Sequence, residues 1–513
     1  MESKPPVICV PICEQSISAT ERAIARAAPL ADLIEIRLDC LDPFQIGGNF
    51  PRLEHLFENS PKPTILTYRP AEQGGRRELN MEARLGFWVF HGQATNGFLD
   101  IEFDLASNSL GFDYTTQPDW NQVICSYHDF TGVPNDLDDL YDRMAKSPAR
   151  ILKIAVQADD AIDCLPVFRL LERARADGRE MIAIAMGTAG IPTRILGPSR
   201  GGFLTYAALE NETATAPGQI SARQLREVYR VEKIDQQTQI FGLMGLPVTH
   251  SFSPRIHNAA FEAMAINAVY VPFELRDAPA FIRRMIHPGT REIDWNVRGL
   301  SVTAPHKTAV MDQLDWIEPA AKEIGAVNTI VVADAMLQGY NTDATGFLKP
   351  LITRFGQLRA ARCAVIGTGG GASAASWALR QENAEVTLFA RNVGKAEMLA
   401  ERFGVAWKRL EDDSFDGFDV VINATPLGTV GQFETETPAT AQQLGGARLV
   451  YDLVYNPTET LFLRAAREAG CETLGGLSML IAQAAGQFRL WTGEAAPEGV
   501  MYEAAGRALL RAI

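Results

Sequence analysis

Lys153 lies within Ile151-Leu152-Lys153-Ile154-Ala155-Val156, a run with the apolar character of a strand covered on both faces. An ammonium there loses solvation, and desolvation favours the neutral amine, which attacks ketones to begin Schiff-base chemistry. The plain alternative is an edge-strand lysine that reaches solvent, because lysines are seldom fully buried unless paired. A second centre of chemistry lies far along the chain. Arg362–Ile366 reads as a strand running into Gly367-Thr368-Gly369-Gly370-Gly371-Ala372, then a helix through Ala378. This is G-x-G-x-x-A in a strand–turn–helix setting, where small residues let backbone amides approach a pyrophosphate. The next strand, Glu385–Phe389, is followed by Arg391, Asn392 and Lys395, where an NAD site normally carries an acid. Cations without a carboxylate suit the 2′-phosphate of NADP; the alternative is a solvated basic loop.

Composition narrows the classes. A chain of 513 residues can hold two or more domains with sizeable cores. Its 47% hydrophobic and 21% charged content is that of an ordinary globular protein. A net charge of −14 argues against nonspecific binding to nucleic acid or anionic membrane. No apolar run approaches a membrane span. A strand-like Val7–Val10 follows the first six residues, which leaves no room for a targeting peptide. Seven cysteines without a Cys-x-x-Cys pair suggest reduced thiols in a cytoplasm and no metal site.

The elements that must position Lys153 recur. Short β-rich segments begin near Val7, Leu33, Thr64, Gly97, Gln122, Ile151, Met181 and Phe203, with helical stretches such as Arg84–Phe90 and Val167–Leu171 between them. Eight alternating β and α units predict a closed (β/α)8 barrel, with its chemistry at the carboxyl ends of the strands. Polar residues gather at those ends: Glu35, Arg37, Arg69, Asp100, Glu102, His128 and Lys153.

Glu35-Ile36-Arg37-Leu38-Asp39, Thr67-Tyr68-Arg69, Ser126-Tyr127-His128-Asp129, Lys153, Met186-Gly187, Arg194 and Ala216-Pro217-Gly218-Gln219 together resemble the type I 3-dehydroquinate dehydratases across about residues 5–230. The resemblance implies an imine between Lys153 and the C3 ketone of 3-dehydroquinate. It makes His128 the general base at C2 and the acid for the departing C1 hydroxyl. Histidine suits that double task near neutral pH, and Arg194 offers a fork for a carboxylate. Glu35, Arg37, Arg69, Thr215 and Gln219 become substrate contacts by the same resemblance. For Glu35 and Arg37 an internal salt bridge is the alternative. The family places a glutamate before its Gly-Gly pair to orient the histidine. This chain has Gln73 there, so either Glu72 swings in or His128 lacks its carboxylate.

A polar stretch, Gln236–Gln239, reads as the linker to a second enzyme. Its motifs resemble shikimate dehydrogenase across about residues 240–513: Ser251-Phe252-Ser253-Pro254, Ser301-Val302-Thr303-Ala304-Pro305-His306-Lys307, Gly325–Thr329, Asn341-Thr342-Asp343, Asn423-Ala424-Thr425, Tyr455 and Gly476–Met479 with Gln483. The resemblance implies that Lys307 and Asp343 form the catalytic pair. It gives the substrate carboxylate to Ser251 and Ser253, and contacts to the ring hydroxyls and carboxylate to Thr303, Asn328, Tyr455 and Gln483. Asn423, Thr425 and Gly476 join the nucleotide site with Gly367, Gly369, Gly370, Gly371 and Ala372. A lysine ammonium beside an aspartate can donate the proton that a developing alkoxide needs.

The expected architecture is an N-terminal (β/α)8 barrel over residues 1–232 fused to a two-lobed α/β dehydrogenase over 238–513. Within the latter, 238–342 with 477–513 form a substrate lobe, and 343–476 a Rossmann-like NADP-binding lobe. The resemblances imply a bifunctional enzyme of aromatic biosynthesis that takes 3-dehydroquinate through 3-dehydroshikimate to shikimate. A class I aldolase, a quinate dehydrogenase and a metabolite-binding regulator are the rivals.

Overall fold

The computed structural model describes residues 7–47, 50–91, 97–107, 117–210, 215–216, 218–410 and 415–510. The first six residues and Pro217 of the loop motif lie outside them. The first eight strands are β1 (Val7–Ile12), β2 (Leu33–Arg37), β3 (Thr64–Thr67), β4 (Gly97–Glu102), β5 (Val123–Asp129), β6 (Ile151–Gln157), β7 (Glu180–Met186) and β8 (Leu204–Tyr206). All pair in parallel in the order β7-β6-β5-β4-β3-β2-β1-β8, and a Met181–Gly202 bridge closes the ring beside β8. Each expected strand start falls within one residue of the observed one.

Alternation along each strand explains why one lysine can sit inside an apolar run. Leu152, Ile154 and Val156 of β6 point outward into the main cluster under the helices. Ile151 points inward, into a layer that includes Ile65, Ile124, Ile182 and Tyr206. Two residues on, Lys153 shares that inward face, level with Ser126 and Ile182 on the flanking strands.

The second half holds two sheets. Strands β9 (Gln239–Gly245), β10 (Ala268–Glu274), β11 (Val297–Val302), β12 (Trp316–Ile317), β13 (Thr329–Ala333) and β14 (Met336–Tyr340) order as β10-β9-β11-β13-β14-β12. The expected linker therefore ends one residue early, because Gln239 already pairs with Ala268. Strands β15 (Arg362–Ile366), β16 (Glu385–Ala390), β17 (Ala406–Arg409), β18 (Val420–Asn423), β19 (Leu449–Asp452) and β20 (Glu472–Leu474) order as β17-β16-β15-β18-β19-β20. That is the doubly wound pattern in which a ligand lies at the carboxyl ends, where the strand order reverses beside β15. The helices Leu477–Thr492 and Glu498–Leu510 return to the first of these sheets, burying Phe488 and Met501 against Phe241 and Ile256.

The barrel and the first dehydrogenase sheet share one apolar cluster. Phe168, on the barrel helix Cys164–Ala176, meets Trp295 with ring centroids 6.2 Å apart. The expectation of reduced thiols throughout is corrected at one pair. Cys13 follows β1 and Cys40 follows β2, so adjacent strands bring them to a Cα separation of 5.3 Å, and they form a disulfide. The other five cysteines are free and buried.

Candidate active sites

One pocket at the carboxyl ends of the barrel strands gathers every residue expected there: Glu35, Arg37, Arg69, His128, Lys153, Arg194, Thr215 and Gln219. Lys153 is 4% exposed. Its Nζ donates to Asp100 Oδ2 at 2.8 Å and to the Tyr206 hydroxyl at 3.0 Å, with Glu35 Oε1 3.8 Å away. The edge-strand alternative is excluded by this burial. The lysine is paired rather than merely desolvated, as a buried ammonium requires. Asp100 is the hub. Burial opposes its charge, but Arg69 and Lys153 outweigh that and hold its carboxyl far below the usual range. Its other oxygen meets Arg69 Nη2 at 2.7 Å. Glu102, fully buried on the same strand, is pushed up to about 7 by burial, against the pull of Arg69 and Arg84.

His128 stands where β5 ends, with its ring parallel to that of Phe130 at 6.4 Å. Arg69 Nη1 lies 2.8 Å from His128 Nδ1. A guanidinium only donates, so Nδ1 accepts, and the neutral ring carries its proton on Nε2. Burial, Arg69 and Lys153 all hold the imidazole well below its ordinary pKa. It is therefore neutral at pH 7, as a base must be. Arg194 is fully buried, and burial lowers it to about 10. Thr215 N–H donates to Gln219 Oε1 at 2.8 Å, which ties the last loop over the pocket.

Arg37 and Glu35 both have ionic partners inside the barrel, as the alternative for them allowed. Arg37 grips Asp39 with two hydrogen bonds of 2.9 and 2.8 Å and donates to the Gly74 carbonyl at 3.1 Å. Glu35 lies 3.8 Å from Lys153 and accepts from the Thr67 hydroxyl at 2.7 Å. One expectation is corrected. Glu72 does not swing in. The short turn Ala71–Gln73 leaves Glu72 exposed and sends Gln73 into the pocket, its Oε1 buried without a hydrogen-bond partner among the described residues. Tyr206 was missed as a partner of Lys153; an aromatic hydroxyl at the last strand's end was the available signal.

In the second half, Lys307 Nζ donates to Asp343 Oδ2 at 2.5 Å. Asn328 Nδ2 donates to the other carboxylate oxygen at 2.8 Å, and Asn328 Oδ1 accepts from Thr342 N–H at 2.8 Å. The carboxylate is thereby fixed between a cation and an amide. Gln487, not expected from sequence, supports this group by donating to the Asn328 carbonyl at 3.2 Å. It lies one helical turn past Gln483, which would have been the clue. Ser301 is spent inside the lobe, accepting from the Tyr270 hydroxyl at 2.7 Å and donating to Gln487 at 2.9 Å. Ser251 Oγ accepts from Ser253 N–H at 3.2 Å and bonds the half-buried Tyr455, whose hydroxyl is pushed up by desolvation. Thr303 follows β11, its methyl seated over Gly245. Gln483 backs onto Gly346, where any Cβ would come within 2.7 Å of it.

The glycine turn fits a dinucleotide. Gly369 opens the helix Gly370–Gln381, and a Cβ on it would meet nothing within 4 Å, leaving room for phosphate over the free amides. A Cβ on Gly370 would come within 3.3 Å of Lys307 Cδ, so the turn and the Lys–Asp pair are neighbours. Ala372 is buried against the sheet, and Gly367 has φ of 122°, which favours glycine. Arg391 and Lys395 are exposed past β16, while the Asn392 side chain accepts from Lys395 N–H at 3.0 Å and caps the helix Val393–Phe403. Asn423 is fully buried, its amide donating to Leu427 O at 3.1 Å and Asp452 at 2.9 Å, so it shapes the turn and leaves Thr425 nearer the surface. Gly476 is required by space, because a Cβ would fall 2.3 Å from the Leu453 carbonyl. Among the described residues no helix is long and apolar enough to cross a membrane, and no group of three or more His, Cys, Asp or Glu could hold a metal ion.

Known proteins match both halves of the chain. Residues 8–236 match the family model of type I 3-dehydroquinase, 243–330 that of the shikimate dehydrogenase substrate binding domain, and 476–505 that of the shikimate 5'-dehydrogenase C-terminal domain. The chain is 33% identical over 520 residues to the chloroplastic bifunctional 3-dehydroquinate dehydratase/shikimate dehydrogenase of Arabidopsis thaliana, covering 97% of this chain and 84% of that one. It is 40% identical over 279 residues to the NADP(+) shikimate dehydrogenase of Caldanaerobacter subterraneus subsp. tengcongensis, covering 53% of this chain and 98% of that one. A solved shikimate dehydrogenase in complex with NADP+ aligns with a TM-score of 0.50 and 37% identity, over 54% of this chain and 97% of that one. The chain belongs to the bifunctional 3-dehydroquinate dehydratase/shikimate dehydrogenase family.

Proposed function

We propose that this chain catalyses two consecutive steps of the shikimate pathway: dehydration of 3-dehydroquinate in the barrel, then reduction of 3-dehydroshikimate to shikimate with NADPH. The observation that carries the reading is the meeting of a buried lysine, a neutral histidine and a buried arginine in one barrel mouth. The domain division follows the chemistry, with the barrel in 1–232, the substrate lobe in 238–342 and 477–513, and the nucleotide lobe in 343–476.

In the barrel, Lys153 Nζ adds to the C3 carbonyl of 3-dehydroquinate and water departs, leaving an iminium. That cation acidifies the C2–H, and His128 removes the proton. His128 then returns a proton to the C1 hydroxyl, which leaves as water, and hydrolysis frees Lys153. Nδ1 is engaged by Arg69 in the free protein, so seating the substrate must release that contact or shift the ring proton. Such tightening on binding is ordinary for catalytic hydrogen bonds. Arg194 takes the substrate carboxylate, while Glu35, Arg37, Arg69, Thr215 and Gln219 take ring oxygens.

In the second site, Ser251, Ser253 and Tyr455 hold the carboxylate, and Thr303, Asn328 and Gln483 the ring. The glycine turn would hold NADPH, which when bound would supply the hydride. Lys307 stabilises the developing alkoxide and delivers its proton, and Asp343, fixed by Asn328, aims the ammonium. Arg391 and Lys395 would hold the 2′-phosphate, and Gly367, Gly369, Gly370, Gly371, Ala372, Thr425 and Gly476 would shape the rest of the cradle. Asn392 and Asn423 support that cradle from within. A cytoplasmic location belongs to the same proposal, since NADPH is an intracellular reductant and five cysteines remain thiols. Borohydride added during turnover of 3-dehydroquinate tests the first half: substrate-derived mass on the peptide carrying Lys153 supports it, and mass elsewhere overturns it.

A further inference from the structure

We propose that the barrel supplies positioning residues for the second reaction, through a polar joint at the end of β10. The joint is the segment Glu274–Asp277. On its barrel side, the Thr188 hydroxyl donates to Glu274 Oε1. Asp160 Oδ2 accepts from the backbone N–H of Arg276 at 2.7 Å and of Asp277 at 3.3 Å. Asp160 Oδ1 meanwhile accepts from Ile162 N–H at 3.0 Å, so one carboxylate has an oxygen in each enzyme. Both residues come from loops at the carboxyl mouth of the barrel: Asp160 follows β6, which carries Lys153, and Thr188 follows β7.

On its other side the same segment holds the reduction site. Glu274 Oε2 accepts from Val248 N–H at 3.2 Å, and the Val248 carbonyl accepts from Ser251 N–H at 3.2 Å. Leu275 N–H donates to the Gly245 carbonyl at 3.1 Å, and its carbonyl accepts from His306 Nε2 at 2.8 Å, beside Lys307. A single carboxylate, Glu274, thus spans a barrel hydroxyl and the loop that carries Ser251. Further contacts join the two halves around that span. Phe168 and Trp295 are both buried, Arg169 Nη2 meets Glu292 at 2.9 Å, and Arg200 Nη2 donates to the Asp294 carbonyl at 2.6 Å. Thr188 and Asp160 touch no reacting atom; they act through Glu274 and the backbone it seats.

The proposal rests on the assignment of Ser251 and Lys307 to the reduction of 3-dehydroshikimate, which the wild-type chain tests by itself. In the full chain, Thr188→Val removes the hydroxyl at nearly constant shape. The KM for 3-dehydroshikimate then rises roughly two- to tenfold, the range of one net hydrogen bond, while kcat and the KM for NADPH stay within about twofold. Thr188→Ser restores the wild-type KM. If wild type reduces 3-dehydroshikimate and Thr188→Val leaves its KM unchanged, the joint is only structural and the proposal falls. A parallel loss of kcat, both KM values and dehydratase activity also overturns it, as general loosening. Should Thr188→Val not fold, Asp160→Asn carries the same comparison with the same outcomes. A wild type inactive on 3-dehydroshikimate removes the reading beneath the proposal instead.

Discussion

Glu102 offers a test of the barrel's electrostatics that needs no substrate. Its side chain is fully buried on β4, and burial raises its carboxyl from an ordinary 4.5 to about 7. Below pH 4.5 the group is protonated in folded and unfolded chains alike and contributes nothing. Between 4.5 and 7 the unfolded chain releases its proton while the folded chain retains it, so stability falls as pH rises. Above 7 the loss is complete. At about 1.4 kcal/mol per pH unit the full loss is about 3 kcal/mol. Glu102→Gln cannot ionise and escapes it. Its neighbours are not orphaned, because Arg84 keeps Asp104 at 2.6 Å and Arg69 keeps Asp100 at 2.7 Å. The assay is thermal unfolding of both proteins at pH 5 and pH 8. About 2.5 kcal/mol of that loss falls between those values, so the variant should gain on wild type by about 5–10 °C, taking about 2–4 °C per kcal/mol for a domain of this size. A difference that does not change with pH refutes the picture of a carboxyl held protonated by burial.

The remaining predictions concern catalysis. Gln73→Ala should lower dehydratase turnover by about three- to tenfold, the scale of one hydrogen bond, while Glu72→Gln leaves it unchanged; the reverse ranking would show that the exposed glutamate does reach His128. Lys307→Ala and Asp343→Asn should each cut reduction by about 10²–10⁴-fold with NADPH binding retained, measured by nucleotide fluorescence titration beside steady-state kinetics. Equal loss of binding and turnover would indicate a damaged lobe. Arg391→Ala should weaken NADPH about tenfold, the lower end for a charged contact because Arg391 is exposed, and leave NADH affinity in place; matched losses for both nucleotides would remove the 2′-phosphate from its role.

Much of this molecule is legible in its sequence, for identifiable reasons. Strands covered on both faces must be apolar throughout, so β6 and β7 stand out, and a lysine within such a run signals chemistry rather than solubility. Local chemistry carries the glycine turn, because Gly367 takes a φ of 122° that favours glycine and the strand–turn–helix pattern is continuous in sequence. Most of what sequence reading missed depends on contacts between distant segments. The choice between Glu72 and Gln73 is made by the short turn Ala71–Gln73, which no spacing rule resolves. Cys13 and Cys40 meet only because β1 and β2 are neighbours in register, and Tyr206 reaches Lys153 only across the closed ring. The same limit hides the joint at Glu274, whose partners come from two separate enzymes in one chain.

The central claim is that one chain performs both reactions in sequence. Purified protein given 3-dehydroquinate and NADPH, with no other enzyme present, tests it in a single trace of nicotinamide absorbance. Steady oxidation of NADPH is expected, abolished by Lys153→Ala and restored in that variant when 3-dehydroshikimate is supplied. No oxidation with 3-dehydroquinate, or failure of 3-dehydroshikimate to restore it in Lys153→Ala, would contradict the account.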